Sequence, residues 1–196
     1  MKIGITGGIG SGKTTACKLL EKWGYSVYYS DERGKFLMEN DPTVRLKVEQ
    51  LFGETAYANG RLNRSFLADQ IFKSPEKRKQ LNAIVHPAVK RDYEKWLQER
   101  SDSLTFKESA LLFETGAYKE LDNTILITAP EAVRIARVVQ RDGVSEEAVR
   151  NRMNAQMSEP EKQRLANHTI MNTDIFQMEA QLKEILNKLK NQLTSS

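Results

Sequence analysis

The stretch Gly7-Gly8-Ile9-Gly10-Ser11-Gly12-Lys13-Thr14-Thr15 combines residue types that suit a phosphate chain, at the spacing G-x-x-x-x-G-K-[ST]. Several negative charges at close range need many donors. Glycines remove the Cβ atoms that would keep the backbone away, and they permit positive φ. The loop can then turn its N–H groups inward as an anion nest. A helix that follows adds its unpaired N–H groups and the positive end of its dipole. Lys13 is within reach of the β and γ phosphates, and the Thr14 hydroxyl stands where Mg²⁺ is held. Gly8, Ile9, Gly10, Ser11, Gly12, Lys13, Thr14 and Thr15 are therefore the expected nucleotide-phosphate residues. The plainer alternative is a glycine-rich turn between a strand and a helix.

The flanks decide between these. Lys2-Ile3-Gly4-Ile5-Thr6 reads as a short buried strand, and Ala16, Leu19, Leu20 and Trp23 recur at helical spacing. Trp23-Gly24 closes that helix, and Tyr25 to Tyr29 reads as a second strand ending at Ser30-Asp31. In an open α/β sheet the carboxyl ends of strands open onto the ligand crevice. Asp31 lies beside the phosphate loop if the first two strands are neighbours. Its alternative role is N-cap of a helix over Glu32 to Glu39.

Residues 42 to 100 depart from the alternating pattern. Helices are expected from Pro42 to Phe52, from Ser65 to Phe72, and from Pro75 through Leu97, the last interrupted at His86-Pro87. No sheet strand is evident there, so the block reads as a helical insertion over the crevice. Further strands are expected at Leu104–Glu108, at Asn123–Ala129 and at His168–Asn172, followed by a terminal helix whose last residues, from Leu193 to Ser196, fray.

Arg134, Arg137, Arg141, Arg150 and Arg152 follow the Asn123–Ala129 strand. The segment from Ser145 to Met157 offers only Val149, Met153 and Met157 as apolar positions, a thin seam suited to a movable lid. Lids in phosphoryl transfer carry arginines. The alternative is a solvated helix with exposed charges.

Composition narrows the classes. With 196 residues, one domain or one core with a sizeable insertion is expected. At 39% hydrophobic and 29% charged residues, a core can form under a well-solvated surface. No apolar run is long enough to span a membrane. The net charge of +4 comes without a basic tract, which argues against nucleic acid and is explained by anionic small molecules. The single cysteine, Cys17, cannot form an internal disulfide and is expected to pack in the first helix. Met1-Lys2-Ile3 enters the first strand at once, so no targeting segment is expected and the cytoplasm is the default compartment.

Taken together, the chain resembles the dephospho-coenzyme A kinase family. The resemblance rests on T-G-G-I-G-S-G-K-T-T at 6–15, S-D at 30–31, N-G-R-L-N-R at 59–64, L-N-A-I-V-H-P-A-V at 81–89 and L-L-F-E at 111–114. It continues with R-x-x-x-R-D at 137–142, R-x-x-x-Q at 152–156 and I-M-N at 170–172. It implies an α/β, three-layer phosphate-loop kinase fold with a five-stranded parallel sheet. The core would span about 1–40, 101–136 and 165–196, a helical substrate-binding region about 41–100, and a small lid about 137–164. The implied reaction is ATP plus dephospho-coenzyme A giving ADP plus coenzyme A, with the ribose 3′-hydroxyl as acceptor and Mg²⁺ as cofactor.

The implied catalytic residues are Lys13, Asp31, Arg137 and Arg141, with Asp31 taking the hydroxyl proton and holding water on Mg²⁺. Arg137, Arg152 and Asn172 join the ATP site, and Asp31, Arg64, His86 and Glu114 the acceptor site. Glu108 and Glu114 stand next in line as base. The working unit is expected to be a monomer or weak homo-oligomer.

Departures from the family pattern include Tyr29 where an acid is usual, Asn63 and Asn167 where Asp is usual, and Ala110 where Pro is usual. Two other readings share the same loop. One is a related kinase for a nucleoside, a nucleotide or a shikimate-like alcohol. The other is a nucleotide switch or nucleic-acid-binding ATPase, for which Phe106-Lys107-Glu108 is a poor Walker B run.

Overall fold

The computed structural model describes residues 1–194. In chain order the elements are β1 (Lys2–Thr6), α1 (Lys13–Lys22), β2 (Ser26–Tyr29), α2 (Ser30–Asn40), α3 (Pro42–Phe52), β3 (Tyr57–Ala58), β4 (Arg61–Leu62), α4 (Arg64–Lys73) and α5 (Pro75–Gln98). They continue with β5 (Thr105–Glu108), β6 (Asn123–Thr128), α6 (Glu131–Asp142), α7 (Glu146–Asn154), α8 (Glu159–Leu165), β7 (His168–Met171) and α9 (Ile175–Thr194). They form two compact units. One takes Met1–Tyr28 and the chain from Asp102 onward; the other is Tyr29–Ser101.

The first unit is built on a five-stranded parallel sheet in the order β2-β5-β1-β6-β7. Its central strands read as near-continuous apolar runs because helices cover both faces of such sheets. Ile3, Ile5, Phe106, Ile125, Leu126, Ile127 and Ile170 are all fully buried. β1 pairs with β5 through Ile5 and Glu108, and with β6 through Thr6 and Leu126. α9 closes the unit with Met178, Leu182, Ile185, Leu186 and Leu189 buried, while Ile175 and Leu193, at the ends of its apolar stripe, stay partly exposed. Cys17 packs in α1 as expected, and burial pushes its thiol far up. Of the segment expected to fray, Leu193 and Thr194 belong to α9, and residues 195–196 lie outside the described chain.

The strand order corrects one expectation. β1 and β2 are not neighbours; β5 lies between them. Consecutive strands pair only about two-thirds of the time, so chain order alone does not make β2 the neighbour of β1. The acid that ends the strand beside β1 is Glu108, which is buried.

The second unit is helical, with a departure from expectation: a short hairpin pairs Tyr57 with Leu62 and Ala58 with Arg61. Asn59-Gly60 turns it, with positive φ at both residues. α2 belongs to this unit, and its Gly34 leaves room for Val85 and Val89 of α5. α5 also differs from the interrupted helix expected: it runs unbroken through Pro87. A proline inside a helix costs about 3 kcal/mol. Leu81 before it and Ala88, Val89 and Tyr93 after it are all buried, and keeping that face continuous offsets the cost.

Two family departures have local explanations. Asn63 caps α4 by accepting the Phe66 N–H at 3.2 Å, and its amide donates to the Thr55 carbonyl, which an Asp could not do. Asn167 Oδ1 accepts from both the N–H and the hydroxyl of Thr124, at 2.9 and 2.8 Å, so a neutral amide oxygen suffices there.

Candidate active site

The loop between β1 and α1 is closed by the Ser11 N–H donating to the Gly8 carbonyl at 3.1 Å. Gly12 enters α1 at φ 100, a conformation that L side chains rarely adopt, and its carbonyl accepts from the Thr15 and Ala16 N–H groups. A Cβ on Gly12 would collide with the Asn172 side-chain nitrogen. No side chain caps α1, so the positive end of its dipole meets an anion without a competing side chain. Lys13 heads the helix, and its Nζ donates to the Gly7 carbonyl at 2.8 Å, lying across the loop. Thr14 and Thr15 follow on the exposed first turn.

Side chains from far along the chain hold this loop. Asn172 is buried, donates to the Ser11 carbonyl at 2.7 Å, and is fixed by its own N–H donating to the Thr128 carbonyl at the end of β6. Arg134 is 6% exposed; its Nε donates to the Ile9 carbonyl at 3.0 Å and its Nη1 pairs with Glu159 at 2.6 Å. Gln156 Oε1 accepts the Ile9 N–H at 3.0 Å. The Ile9 side chain packs with Val144 and Met153 against Ile135, Val138 and Val149. The thin seam expected for α7 is therefore present in Val149 and Met153, and Ile9 joins it. Met157 instead contributes its N–H, which donates to Glu114 Oε1 at 3.0 Å.

The structure divides the expected arginines. Arg137 Nη2 donates to the Asn172 carbonyl at 3.3 Å, and its Nη1 is buried with no hydrogen-bond partner among the described residues. Arg141 and Arg152 are both exposed and meet on Asp142, at 2.7 and 3.2 Å. The hydrogen bond from Arg141 is the chief cause that holds the Asp142 carboxyl below its ordinary range. Arg150 goes to Glu131.

Glu114 lies 3.2 Å from the Nζ of Lys162, a side chain only 1% exposed, while Glu114 Oε2 is buried with no hydrogen-bond partner among the described residues. Arg134, Gln156, Glu159 and Lys162 are the members of this cluster that sequence reasoning left without a role at the loop. The R-x-x-x-Q spacing was a visible signal, but the Gln156 partner lies 147 positions away.

In the helical unit, Asp31 lies inside the first turn of α2. Tyr29 occupies the cap position, so the capping alternative for Asp31 is set aside. Burial pulls the His86 imidazole below its ordinary pKa, and the Asp31 carboxylate acts in the opposite direction. Arg64 heads α4 and pairs with Glu39 of α2 at 3.0 Å, with 62% of its side chain exposed. Within the helical unit the Asp31 charge is thus felt at His86, and Arg64 is tied to the far end of the same helix as Asp31.

Among the described residues no helix is long and apolar enough to cross a membrane, and no group of three or more His, Cys, Asp or Glu residues could cage a metal.

Comparison with known proteins agrees with this geometry. The model of the dephospho-CoA kinase family (CoaE) matches residues 1–177. A dephospho-CoA kinase of Salinibacter ruber is 44% identical over 174 residues, covering 87% of each chain. One from Porphyromonas gingivalis is 40% identical over 189 residues, covering 96% of this chain and 94% of the relative. A crystal structure of a Thermus thermophilus protein superposes with a TM-score of 0.87 at 40% identity, covering 96% of this chain and 97% of the other.

Proposed function

The chain belongs to the dephospho-coenzyme A kinase family, and from that premise we propose that it transfers the γ-phosphoryl group of ATP to the ribose 3′-hydroxyl of dephospho-coenzyme A, the last step of coenzyme A synthesis. The observation that carries this is the family match across a chain whose phosphate loop has the required backbone: Gly12 at φ 100, an uncapped α1, and Lys13 across the loop.

Phosphoryl transfer asks a protein for position and charge more than for covalent chemistry. The α1 N-terminus and the loop N–H groups other than those of Ile9 and Ser11, which donate to Gln156 and Gly8, bind the β and γ phosphates, and Lys13 neutralises them. Arg137, Arg141 and Arg152 supply planar forks toward the phosphates. The unpartnered Nη1 of Arg137 and the exposure of the other two support that role. Asp31 orients the acceptor hydroxyl and takes its proton, and His86, whose pKa burial lowers, lines the acceptor site. Arg64 and Glu114, one of whose oxygens has no hydrogen-bond partner among the described residues, contact the acceptor.

A divalent cation accompanies ATP in this chemistry, and the donors fit a hard ion. Mg²⁺ is bound through one or two side-chain oxygens, phosphates and water rather than an all-protein cage. Thr14, exposed on the first turn of α1, would hold it, with Asp31 acting through water. Bound there, the ion would neutralise charge on the phosphates. The working unit is a monomer or weak homo-oligomer, and a cytoplasmic location suits the substrates.

A coupled ADP-release assay across a panel of acceptor alcohols tests the reading. Dephospho-coenzyme A should give the highest kcat/KM, and a preference for a nucleoside, a nucleotide or shikimate would overturn it. The arginines make a separate prediction. Arg137→Lys keeps the charge but loses the fork, and should lower kcat by about tenfold or more with a smaller change in ATP affinity. Unchanged kcat in Arg137→Lys, Arg141→Lys and Arg152→Lys alike would remove the arginines from the transition state.

A further inference from the structure

Ile9 is gripped on three sides by one segment of chain. Its N–H donates to Gln156 Oε1 at 3.0 Å, and its carbonyl accepts from Arg134 Nε at 3.0 Å. Its side chain enters the apolar seam of α6 and α7. The segment from 156 to 162 is itself anchored twice more, through Glu159 to Arg134 at 2.6 Å and through Lys162 to Glu114 at 3.2 Å. The same α6–α8 arm carries Arg137, Arg141 and Arg152.

We propose that Gln156 is a positioning residue that couples this arm to the phosphate loop, so that ATP affinity depends on the arm being docked. The inference rests on the phosphoryl-transfer reading above.

A glycine-rich loop samples many conformers, and only some present their N–H groups to a phosphate. The apparent dissociation constant is the intrinsic one divided by the competent fraction. Arg134 is locked by Glu159 and fixes the carbonyl side of Ile9 whether or not Gln156 is present. Gln156 is different. It lies between α7 and α8, it is half-buried, and its link to the loop is a single bond to Ile9 N. When the turn between α7 and α8 lifts from the loop, this bond breaks, and the Ile9 peptide is then held only through its carbonyl. When the arm docks, the bond re-forms and the loop is ordered before the nucleotide arrives. Lost preorganisation of this kind weakens binding without removing any direct contact to the ligand.

The test uses the full chain with two variants. Gln156→Met keeps length and removes the acceptor; Gln156→Glu keeps an acceptor oxygen at the same place. Amide hydrogen exchange at Ile9, read by NMR without nucleotide, reports the bond itself. ATP binding by calorimetry, with no acceptor present, reports the consequence. Gln156→Met should speed exchange at Ile9 and raise the Kd for ATP about tenfold, the loss of one partly buried hydrogen bond. Gln156→Glu should restore protection at Ile9 and return the Kd toward wild type. The KM for the acceptor at saturating ATP should not move in either variant.

Retained protection at Ile9 in Gln156→Met would refute the bond. Fast exchange with an unchanged Kd would refute the coupling and leave Gln156 a purely structural contact. Because the calorimetry needs no acceptor, failure here is distinct from failure of the substrate assignment, which the acceptor panel decides.

Discussion

Lys13→Ala should lower phosphoryl transfer by about 10²–10³-fold, the usual consequence of removing one preorganised group from a developing charge, while the melting temperature changes little. The two effects separate because they draw on different contacts. In the free protein the ammonium makes a hydrogen bond to the Gly7 carbonyl at 2.8 Å from a half-buried position. Such a bond is worth about 0.5–1.5 kcal/mol net. Alanine at the first residue of α1 recovers part of that through helix propensity. Gly12 keeps its φ of 100 and Asn172 keeps its grip on Ser11, so the loop holds its shape. On bound ATP, by contrast, the charge faces several phosphate charges at close range, where it is worth far more. Turnover in the coupled assay and a thermal melt on the same sample check both halves. Near wild-type turnover would end the phosphate-loop assignment.

Asp31→Asn should reduce kcat with dephospho-coenzyme A by about 10²–10⁴-fold, the range for a positioned general base. ATP affinity and folding should be nearly unchanged. A ribose hydroxyl is a weak nucleophile, and its proton must leave as the new phosphorus–oxygen bond forms. The amide keeps the shape of the side chain but cannot accept that proton. Capping cannot account for Asp31, because α2 begins at Ser30 with Tyr29 in the cap position. The change does remove one acid from the first helical turn, where it interacts favourably with the dipole, a loss of about 0.3–1 kcal/mol. That is too small to affect turnover through stability. His86 adds a second readout. With the Asp31 charge gone, the force opposing burial disappears, so the His86 pKa should fall further in Asp31→Asn. NMR titration of His86 in the two proteins measures the shift directly. Wild-type turnover in this variant would send the search for a base to Glu108, the buried acid at the end of β5.

The sequence by itself determined the phosphate loop, because every part of that device lies within nine consecutive residues and each residue type has a local reason. It also determined the strand–helix alternation, the long α5 and the apolar seam of α7, since periodicity is written along the chain. Three features were decided only by tertiary structure. The first is the strand order: nothing local states that β5 enters between β1 and β2, and this puts Glu108 rather than Asp31 on the strand beside β1. The second is the course of α5 through Pro87, where the local preference to break is outweighed by apolar burial on both sides. The third is the set of side chains that hold the loop. Asn172, Arg134 and Gln156 bond to backbone atoms 161, 125 and 147 positions away. A backbone N–H or carbonyl is common to almost every residue and leaves no sequence pattern to match, so such contacts become visible only when the chain is folded.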